Sequence, residues 1–189
     1  MGRSPKLVLL ALAGLFFLPL ALAWMMYSGL IDFRPAETSN IGVLVDPPIP
    51  VQLPGSFEQL GLSGHWLLLH PLPANCVEDC LAFTTGLRQV RRALGRDGAR
   101  LRIVYLLDSS PDNNIVQKIS AIDPEAVLFP DGSGMLRSQL EEFNLDGGTL
   151  MIDPLGNIMM HYHEGSDPNN IRLDLKRLLK YAKTDPQER

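Results

Sequence analysis

Two cysteines lie where the sequence predicts that a buried strand passes into a helix. The stretch GHWLLLHPLPANCVEDCL (residues 64–81) holds an apolar run from Trp66 to Leu69, a proline-containing loop, and then Cys76 and Cys80. If a helix begins near Cys76, a separation of four residues places both thiols on one face of its first turn. The N–H groups at a helix start stabilise a thiolate. Such a pair can form a disulfide, exchange with another thiol or hold a soft metal ion, and the spacing leaves all three open.

From residue 63 onward, strand-like runs alternate with helical patterns. The predicted strands are 65–70, 101–107, 126–129, 150–152 and 157–163, and the predicted helices are 77–94, 113–122, 133–143 with Ser133 as N-cap, and one opened by Asp167 and Pro168. This alternation predicts an α/β fold, with a mostly parallel sheet covered on both faces and a final hairpin as an antiparallel edge. Chemistry in such sheets sits at the carboxyl ends of the strands, where Cys76 and Cys80 lie.

The N-terminal part of the chain predicts a membrane anchor. Leu7 to Ile31 contains no charged residue, and roughly 20 apolar residues span a bilayer core. Arg3 and Lys6 before it predict a cytoplasmic N-terminus. The alternative is a cleaved signal peptide, because residues 21–23 (Ala-Leu-Ala) form an A-x-A site. The apolar character continues past that site, which favours the uncleaved anchor; with either reading the rest of the chain is exported.

Composition divides the chain further and excludes one class of partner. We assign residues 1–31 to the anchor, 32–62 to a proline-rich linker with edge strands, 63–183 to the main domain and 184–189 to a polar tail. Residues 32–189 hold 15 basic and 21 acidic side chains and show no basic patch, so nucleic acid is not expected as a partner. Two cysteines are too few for a disulfide scaffold.

The order strand, CxxxC at a helix start, strand, helix, hairpin and terminal helix resembles the thioredoxin-like fold. With a single membrane anchor, it resembles in particular the Sco (SenC) family of copper-handling proteins. The matching stretches are NCVEDCL (75–81), LRIVYLLD (101–108) and LMIDPLGNI (150–158). The resemblance spans residues 64 to 180. It implies a thioredoxin-like mixed sheet flanked by helices on both faces, behind one transmembrane helix.

The resemblance also implies a function. The Sco family assists assembly of cytochrome c oxidase, by delivering copper to the oxidase copper site or by reducing its cysteines. Carried over to this chain, Cys76 and Cys80 become the redox pair and copper ligands, with Cys76 as the more exposed, attacking thiol. Copper is the implied cofactor, and an oxidase subunit or its assembly factors are the implied partners. The implied location is the bacterial inner membrane, with the main domain in the periplasm.

Several features depart from the family pattern. Neither cysteine is flanked by the family's prolines, and residues 144–148 (NLDGG) lack the histidine that serves as its third copper ligand. Gly148 stands where thioredoxins keep a cis-proline. His70, six residues before Cys76, is therefore our candidate third metal ligand or acid–base partner, while His161 and His163 are weaker candidates on one side of a strand.

Two alternative functions stay open at this point. One is a redox-inactive assembly or scaffold protein that keeps the fold and has lost metal binding. The other is a thiol–disulfide reductase that works without copper. The missing histidine favours both alternatives over a copper chaperone, whereas the cysteine pair favours the copper chaperone and the reductase over the scaffold.

Overall fold

The computed structural model describes residues 5–28, 40–52, 59–73, 76–108, 111–145 and 148–182. The chain divides into two compact units, Met1–Ser39 and Asn40–Arg189. Several predicted features lie outside the described residues: Arg3, the end of the apolar run, parts of the linker (32–39 and 53–58) and the polar tail (184–189).

The described part of the first unit is dominated by helix α1 (Pro5–Tyr27). Val8–Tyr27 is long and apolar enough to cross a membrane, judged by length and composition. Pro19 lies inside the helix, a position that membrane-spanning helices tolerate. The prediction of one N-terminal apolar helix as a candidate membrane span is confirmed.

The second unit is built on a six-stranded sheet. Its strands are β1 (Val43–Pro50), β2 (Trp66–Pro71), β3 (Leu101–Leu107), β4 (Val127–Pro130), β5 (Thr149–Ile152) and β6 (Asn157–Tyr162), in the spatial order β1-β6-β5-β2-β3-β4. The pairs β2–β3 and β3–β4 are parallel, whereas β2–β5, β5–β6 and β1–β6 are antiparallel. The sheet is therefore mixed, as the thioredoxin-like resemblance implies.

The prediction of a mostly parallel sheet with the hairpin at its edge is wrong. The hairpin β5–β6 lies inside the sheet, because β5 pairs with the central strand β2, where Met151 faces Leu68. The outer position beside the hairpin is occupied by β1, from the segment that the sequence assigns to linker and edge strands. Pro47, Pro48 and Pro50 suit this outer strand, since proline lacks the N–H needed by an inner one.

Helices cover both faces of the sheet, as predicted. They are α2 (Glu78–Ala93), α3 (Asn113–Ile122), α4 (Met135–Glu142) and α5 (Pro168–Tyr181), with a 3₁₀ turn at Gly95–Arg100. Successive residues of β2 point to opposite faces, so Leu68 packs in one apolar cluster with residues of α2, α3 and α5, and Leu69 packs in the other with residues of α4. This two-sided burial explains why the β2 run is continuously apolar.

Most predicted helix ends lie within two residues of the observed ones, and one predicted cap is wrong. α5 begins as predicted, with the Asp167 side chain accepting a hydrogen bond from the Asn169 N–H and Pro168 in the first turn. Ser133 is not the N-cap of α4. Gly134 takes that position with a left-handed φ of 67°. Ser133 lies one residue before this cap, and its hydroxyl accepts a hydrogen bond from the Met135 N–H.

Candidate redox site

Cys76 and Cys80 are joined by a disulfide at the junction of β2 and α2. The helix begins at Glu78, with Val77 as N-cap, so Cys76 precedes the cap and Cys80 lies in the first turn. The Cα atoms are 5.3 Å apart, inside the range that a disulfide spans without moving the backbone. The pair therefore stands at the carboxyl end of a central strand, where the sequence places it.

The two sulfur-bearing side chains differ in exposure, in the opposite sense to the prediction. Cys76 is 6% exposed and belongs to the apolar cluster that contains Leu72 and Leu87. Cys80 is half-buried and lines a cleft open to solvent. The expectation that Cys76 is the more exposed thiol is therefore wrong. The physical reason is that Cys76 packs in the same apolar cluster as Leu72 and Leu87, whereas Cys80 is carried by the first turn of α2.

The cleft beside Cys80 has a volume of about 660 Å³, and among the described residues five parts of the fold line it. Its lining comes from the end of β2 and the loop after it (His70, Pro71, Leu72, Pro73), the start of α2 (Val77, Asp79, Cys80, Phe83), α4 (Arg137), the start of β5 (Gly148, Thr149) and the loop after β6 (His163, Glu164, Gly165). The lining therefore combines apolar side chains with two acidic residues, Asp79 and Glu164, one arginine, Arg137, and two histidines.

His70 is a neutral imidazole in the wall of this cleft. Its Nδ1 lies 3.1 Å from the Thr149 hydroxyl, and its ring lies 4.7 Å from the Phe83 ring, centroid to centroid. Burial lowers the pKa of His70 to about 4, because a charged ring loses its hydration there, while a hydrogen bond with the Gly148 backbone acts in the opposite direction. At neutral pH the side chain therefore brings no positive charge to Cys80.

Gly148 is required by the backbone geometry at the start of β5. Its φ of 97° is a left-handed value, and a Cβ built on it would lie 1.8 Å from the Tyr162 carbonyl oxygen. Proline fixes φ near −65°, so the cis-proline of thioredoxins does not fit this backbone. The glycine that the sequence shows at this place thus reflects a different local conformation, with two strands in close approach at the rim of the cleft.

Of the two hairpin histidines, the structure brings His163 into the cleft. The ring centroids of His161 and His163 lie 5.0 Å apart, but His161 is buried and does not line the cleft. β5 is antiparallel to β2 and β6 is antiparallel to β5, so β6 runs in the direction of β2. The residues after β6 therefore lie at the same end of the sheet as Cys80.

Sequence reasoning also missed Phe83, Arg137 and Glu164 as neighbours of the cysteines. Glu164 and His163 reach the cleft because the hairpin lies beside β2 and its second strand runs in the direction of β2, but no local pattern in the sequence shows that placement. Phe83 is three residues beyond Cys80 on one helix, so its proximity follows from helical spacing. No comparable local signal places Arg137, which reaches the cleft through the packing of α4.

The predicted metal ligands Cys76, Cys80 and His70 do not fit a copper ion in the state that the structure shows. Metal binding needs thiolates, and both sulfurs are bonded to each other. Among the residues that the structure describes, no group of three His, Cys, Asp or Glu side chains is placed to hold a metal ion. Any copper site at this position therefore requires the reduced pair.

Solved structures with a similar fold include copper-bound yeast Sco1, at a TM-score of 0.53 and 13% identity, covering 67% of this chain and 82% of that one. They also include a SCO1/SenC family lipoprotein from Bacillus anthracis, at a TM-score of 0.51 and 15% identity, covering 71% and 98%. A weaker likeness, at a TM-score of 0.45 and 14% identity, is to a secreted Mycobacterium tuberculosis disulfide oxidoreductase homologous to E. coli DsbE, covering 62% and 85%. At these identities the likeness to the two Sco structures shows the thioredoxin-like fold.

No curated protein matches the sequence. A family model does: the transmembrane-like, thioredoxin-like C-terminal domain matches residues 66–182, from the first residue of β2 to the end of α5. The match includes both cysteines and the hairpin that completes the cleft. Since it covers more than half of the chain, the protein belongs to the family of transmembrane-like, thioredoxin-like proteins.

Proposed function

We propose that the protein is a membrane-anchored thiol–disulfide oxidoreductase that exchanges its Cys76–Cys80 disulfide with the cysteines of an exported client. One observation carries the proposal: the disulfide lies at the carboxyl end of β2 and borders a solvent-open cleft through Cys80. A disulfide between residues four positions apart closes a very small loop, so it contributes little stability through chain entropy. That favours a reactive bond over a purely structural one.

The exchange is balanced in thiols and electrons. A client thiolate attacks one sulfur of the pair, forming a mixed disulfide and releasing the other cysteine as a thiolate. The second client thiolate then attacks the client sulfur of the mixed disulfide, so the client leaves oxidised and the pair is reduced by two electrons. The two protons lost by the client thiols pass through solvent to the released thiolates. In the reverse direction the reduced pair reduces a client disulfide by the same steps.

The client that we propose is the cysteine pair of the cytochrome c oxidase copper site, or an assembly factor of that oxidase. Support comes from the Sco-like stretches of the sequence and from the thioredoxin-like fold shared with yeast Sco1 and the Bacillus anthracis SCO1/SenC lipoprotein. The proposed location is the bacterial inner membrane, with α1 as a single-pass anchor, the N-terminus in the cytoplasm and the redox domain in the periplasm.

A glutathione redox titration of the full chain in detergent tests the exchange chemistry. The fraction of free thiols is followed by a thiol-specific mass tag at increasing ratios of reduced to oxidised glutathione. We expect one reversible two-electron transition. The matched control is the double variant Cys76→Ser, Cys80→Ser, which takes up no tag. A pair that stays oxidised at every ratio, while the protein is folded, contradicts the proposal.

Complementation tests the client and the scaffold alternative together. In cells that lack the protein, we expect the wild-type chain to restore oxidase activity and the double cysteine variant to fail. Restoration by the variant at equal abundance means that the protein acts through its surface, as a redox-inactive scaffold. Unchanged oxidase activity in cells without the protein removes the oxidase as the client.

The second candidate function is Cu(I) binding by the reduced pair. It is favoured by His70, which lines the same cleft as Cys80 and is held neutral, the form in which imidazole binds metals. Titration of the reduced full chain with Cu(I) against a competing chelator tests it. Tight 1:1 binding that is lost in Cys76→Ser and weakened in His70→Gln supports a copper site. Absence of competition with the chelator leaves thiol–disulfide exchange alone.

A further inference from the structure

We propose that Cys80 is the sulfur that exchanges with the client, and that Cys76 is the internal cysteine that closes the pair. The inference rests on the proposed function and reverses the order that the sequence predicts, in which the first cysteine of the motif attacks. It assigns opposite roles to the two cysteines from their different surroundings.

Access to the two sulfurs is unequal. Thiol–disulfide exchange requires a thiolate to approach the attacked sulfur directly, so the rate depends on which sulfur the attacking group can reach. Cys76 is 6% exposed and packed in the apolar cluster beneath α2. Cys80 is half-buried and belongs to the wall of the cleft, together with His70 and Phe83. A client thiolate that enters the cleft therefore meets Cys80 and not Cys76.

The start of α2 suits Cys76 as the leaving group. Cys76 directly precedes the N-cap Val77, whose side chain makes no hydrogen bond to the first N–H groups of this 16-residue helix. Those N–H groups and the helix dipole stabilise negative charge at that end of the helix. Their stabilisation of a thiolate released from Cys76 partly offsets the hydration free energy that the thiolate loses by burial. Attack on Cys80 thus combines the more accessible sulfur with a leaving group that the helix start stabilises.

The order of bonds follows in both directions of the reaction. When the client is oxidised, its thiolate bonds to the Cys80 sulfur and Cys76 leaves as the thiolate. When the client is reduced, the Cys80 thiolate attacks the client disulfide, forms the mixed disulfide and releases the first client thiolate. The Cys76 thiolate then attacks the Cys80 sulfur, reforms the Cys76–Cys80 disulfide and releases the second client thiolate. The mixed disulfide is held by Cys80 in both directions, and two electrons are exchanged in each cycle.

The test is to identify the cysteine that carries glutathione in the mixed disulfide. The oxidised wild-type chain, in detergent, is mixed with reduced glutathione, quenched with acid and digested, and the glutathionylated peptide is assigned by mass spectrometry after alkylation of the free thiol. We expect glutathione on Cys80 and the alkyl group on Cys76. Glutathione mainly on Cys76, or equally on both, overturns the inference while leaving the proposed function intact. A pair that never reacts contradicts the proposed function itself.

A second measurement uses the reduced single-cysteine variants. We expect Cys76→Ser, which keeps Cys80, to react with a disulfide reagent at least about tenfold faster than Cys80→Ser, which keeps the buried Cys76. In a denaturant the two variants lose this difference, because the fold alone makes the sulfurs unequal. Equal rates in the folded variants, or faster reaction of Cys80→Ser, overturn the inference. The wild-type peptide assignment remains decisive if Cys76→Ser fails to fold.

Discussion

At the scale of single residues, His70 makes stability depend on pH. Burial lowers its pKa to about 4 in the folded protein, whereas an unfolded histidine titrates near 6.5. As pH falls below about 6.5 the unfolded state takes up the proton first, so the folded state is progressively disfavoured until the pH passes the folded pKa. His70 therefore contributes fully to the free energy of unfolding above about pH 6.5. This contribution, up to about 3 kcal/mol, is lost as the pH falls to about 4.

Urea unfolding of the oxidised chain between about pH 7 and about pH 4 measures this loss. Carboxylates titrate in the same range, so the comparison is with His70→Gln, which keeps a hydrogen-bonding side chain beside Thr149 and has no proton to gain. We expect the free energy of unfolding of the wild type to fall more steeply with decreasing pH than that of the variant. Parallel pH profiles would mean that His70 is not held neutral.

Gly148 and Gly165 form a matched pair for a test of close backbone approach. Both line the cleft and both have left-handed φ values, of 97° and 77°. A Cβ at Gly148 would meet the Tyr162 carbonyl oxygen, whereas a Cβ at Gly165 would meet no atom of the described residues within 4 Å. We expect Gly148→Ala to lower the free energy of unfolding by more than about 3 kcal/mol and Gly165→Ala by about 1 kcal/mol.

Urea denaturation of both variants, followed by circular dichroism, checks this difference. Equal effects would show that the φ value alone, and not the contact with β6, makes glycine necessary at Gly148.

At the scale of elements, local sequence patterns correctly predicted buried strands and a helix start. They did not predict the strand order, which depends on pairing between segments distant in sequence. The apolar runs of β2 and β3 and the Asp167–Pro168 helix start were correctly predicted, because burial and capping leave a mark within a few residues. The position of β5 beside β2 leaves no such mark. That pairing returns His163 to the cleft, so the composition of the site could be predicted only in part. The burial of Cys76 likewise depends on its packing in a core cluster whose other members are mostly distant in sequence.

Helix α5 holds the start of β1 through one buried carboxylate. Asp174 is fully buried and accepts hydrogen bonds from the N–H groups of Ile41 and Gly42, at 3.0 and 2.9 Å, and from the Tyr162 hydroxyl at 3.1 Å. In Asp174→Asn the amide nitrogen faces donors and the charge-assisted bonds are lost. We expect a loss of about 2–4 kcal/mol in the free energy of unfolding, measured in urea.

Asp167→Asn is the control on the same helix. Asp167 caps α5 through the Asn169 N–H, and asparagine caps a helix about as well as aspartate. The control should therefore unfold at nearly the wild-type urea concentration. If Asp174→Asn does the same, the carboxylate does not secure β1. Protease cleavage near residue 42, faster in Asp174→Asn than in the control, would locate the loosened segment at the start of that strand.

At the scale of the whole molecule, the strand order explains why the cleft forms at the end of the sheet where β2 has its carboxyl end. The carboxyl ends of β2 and β6 and the amino end of β5 meet there, because β5 is antiparallel to both neighbours. The disulfide, His70, Gly148 and His163 come from those ends or from the residues next to them. A hairpin at the outer edge would leave the site without the β5 and β6 contributions, so the mixed topology is a condition of the candidate site.

Helix α1 predicts that the protein is retained in a membrane. Val8–Tyr27 can span a bilayer, so we expect the full chain to remain in the membrane fraction after an alkaline carbonate wash, and a chain that begins at Asn40 to be soluble. The physical reason is that burial of these apolar side chains in lipid is lost in the shorter chain. A Leu15→Arg change places a charge near the middle of the span and should lower membrane retention, since membrane insertion then costs about 3–4 kcal/mol more than with leucine.

The N-terminal mass of the protein separates an anchor from a signal peptide. An uncleaved anchor keeps residues before Ala23, whereas cleavage after the Ala-Leu-Ala site leaves a chain that begins at Trp24. A soluble periplasmic protein with that shorter mass would contradict the anchor.

An alkaline phosphatase fused after Arg189 gives the orientation of the chain in the membrane, because the phosphatase is active only when exported. Activity together with carbonate-resistant membrane retention would place the thioredoxin-like domain outside the cytoplasm with α1 in the bilayer, which is the arrangement that the proposed oxidase client requires.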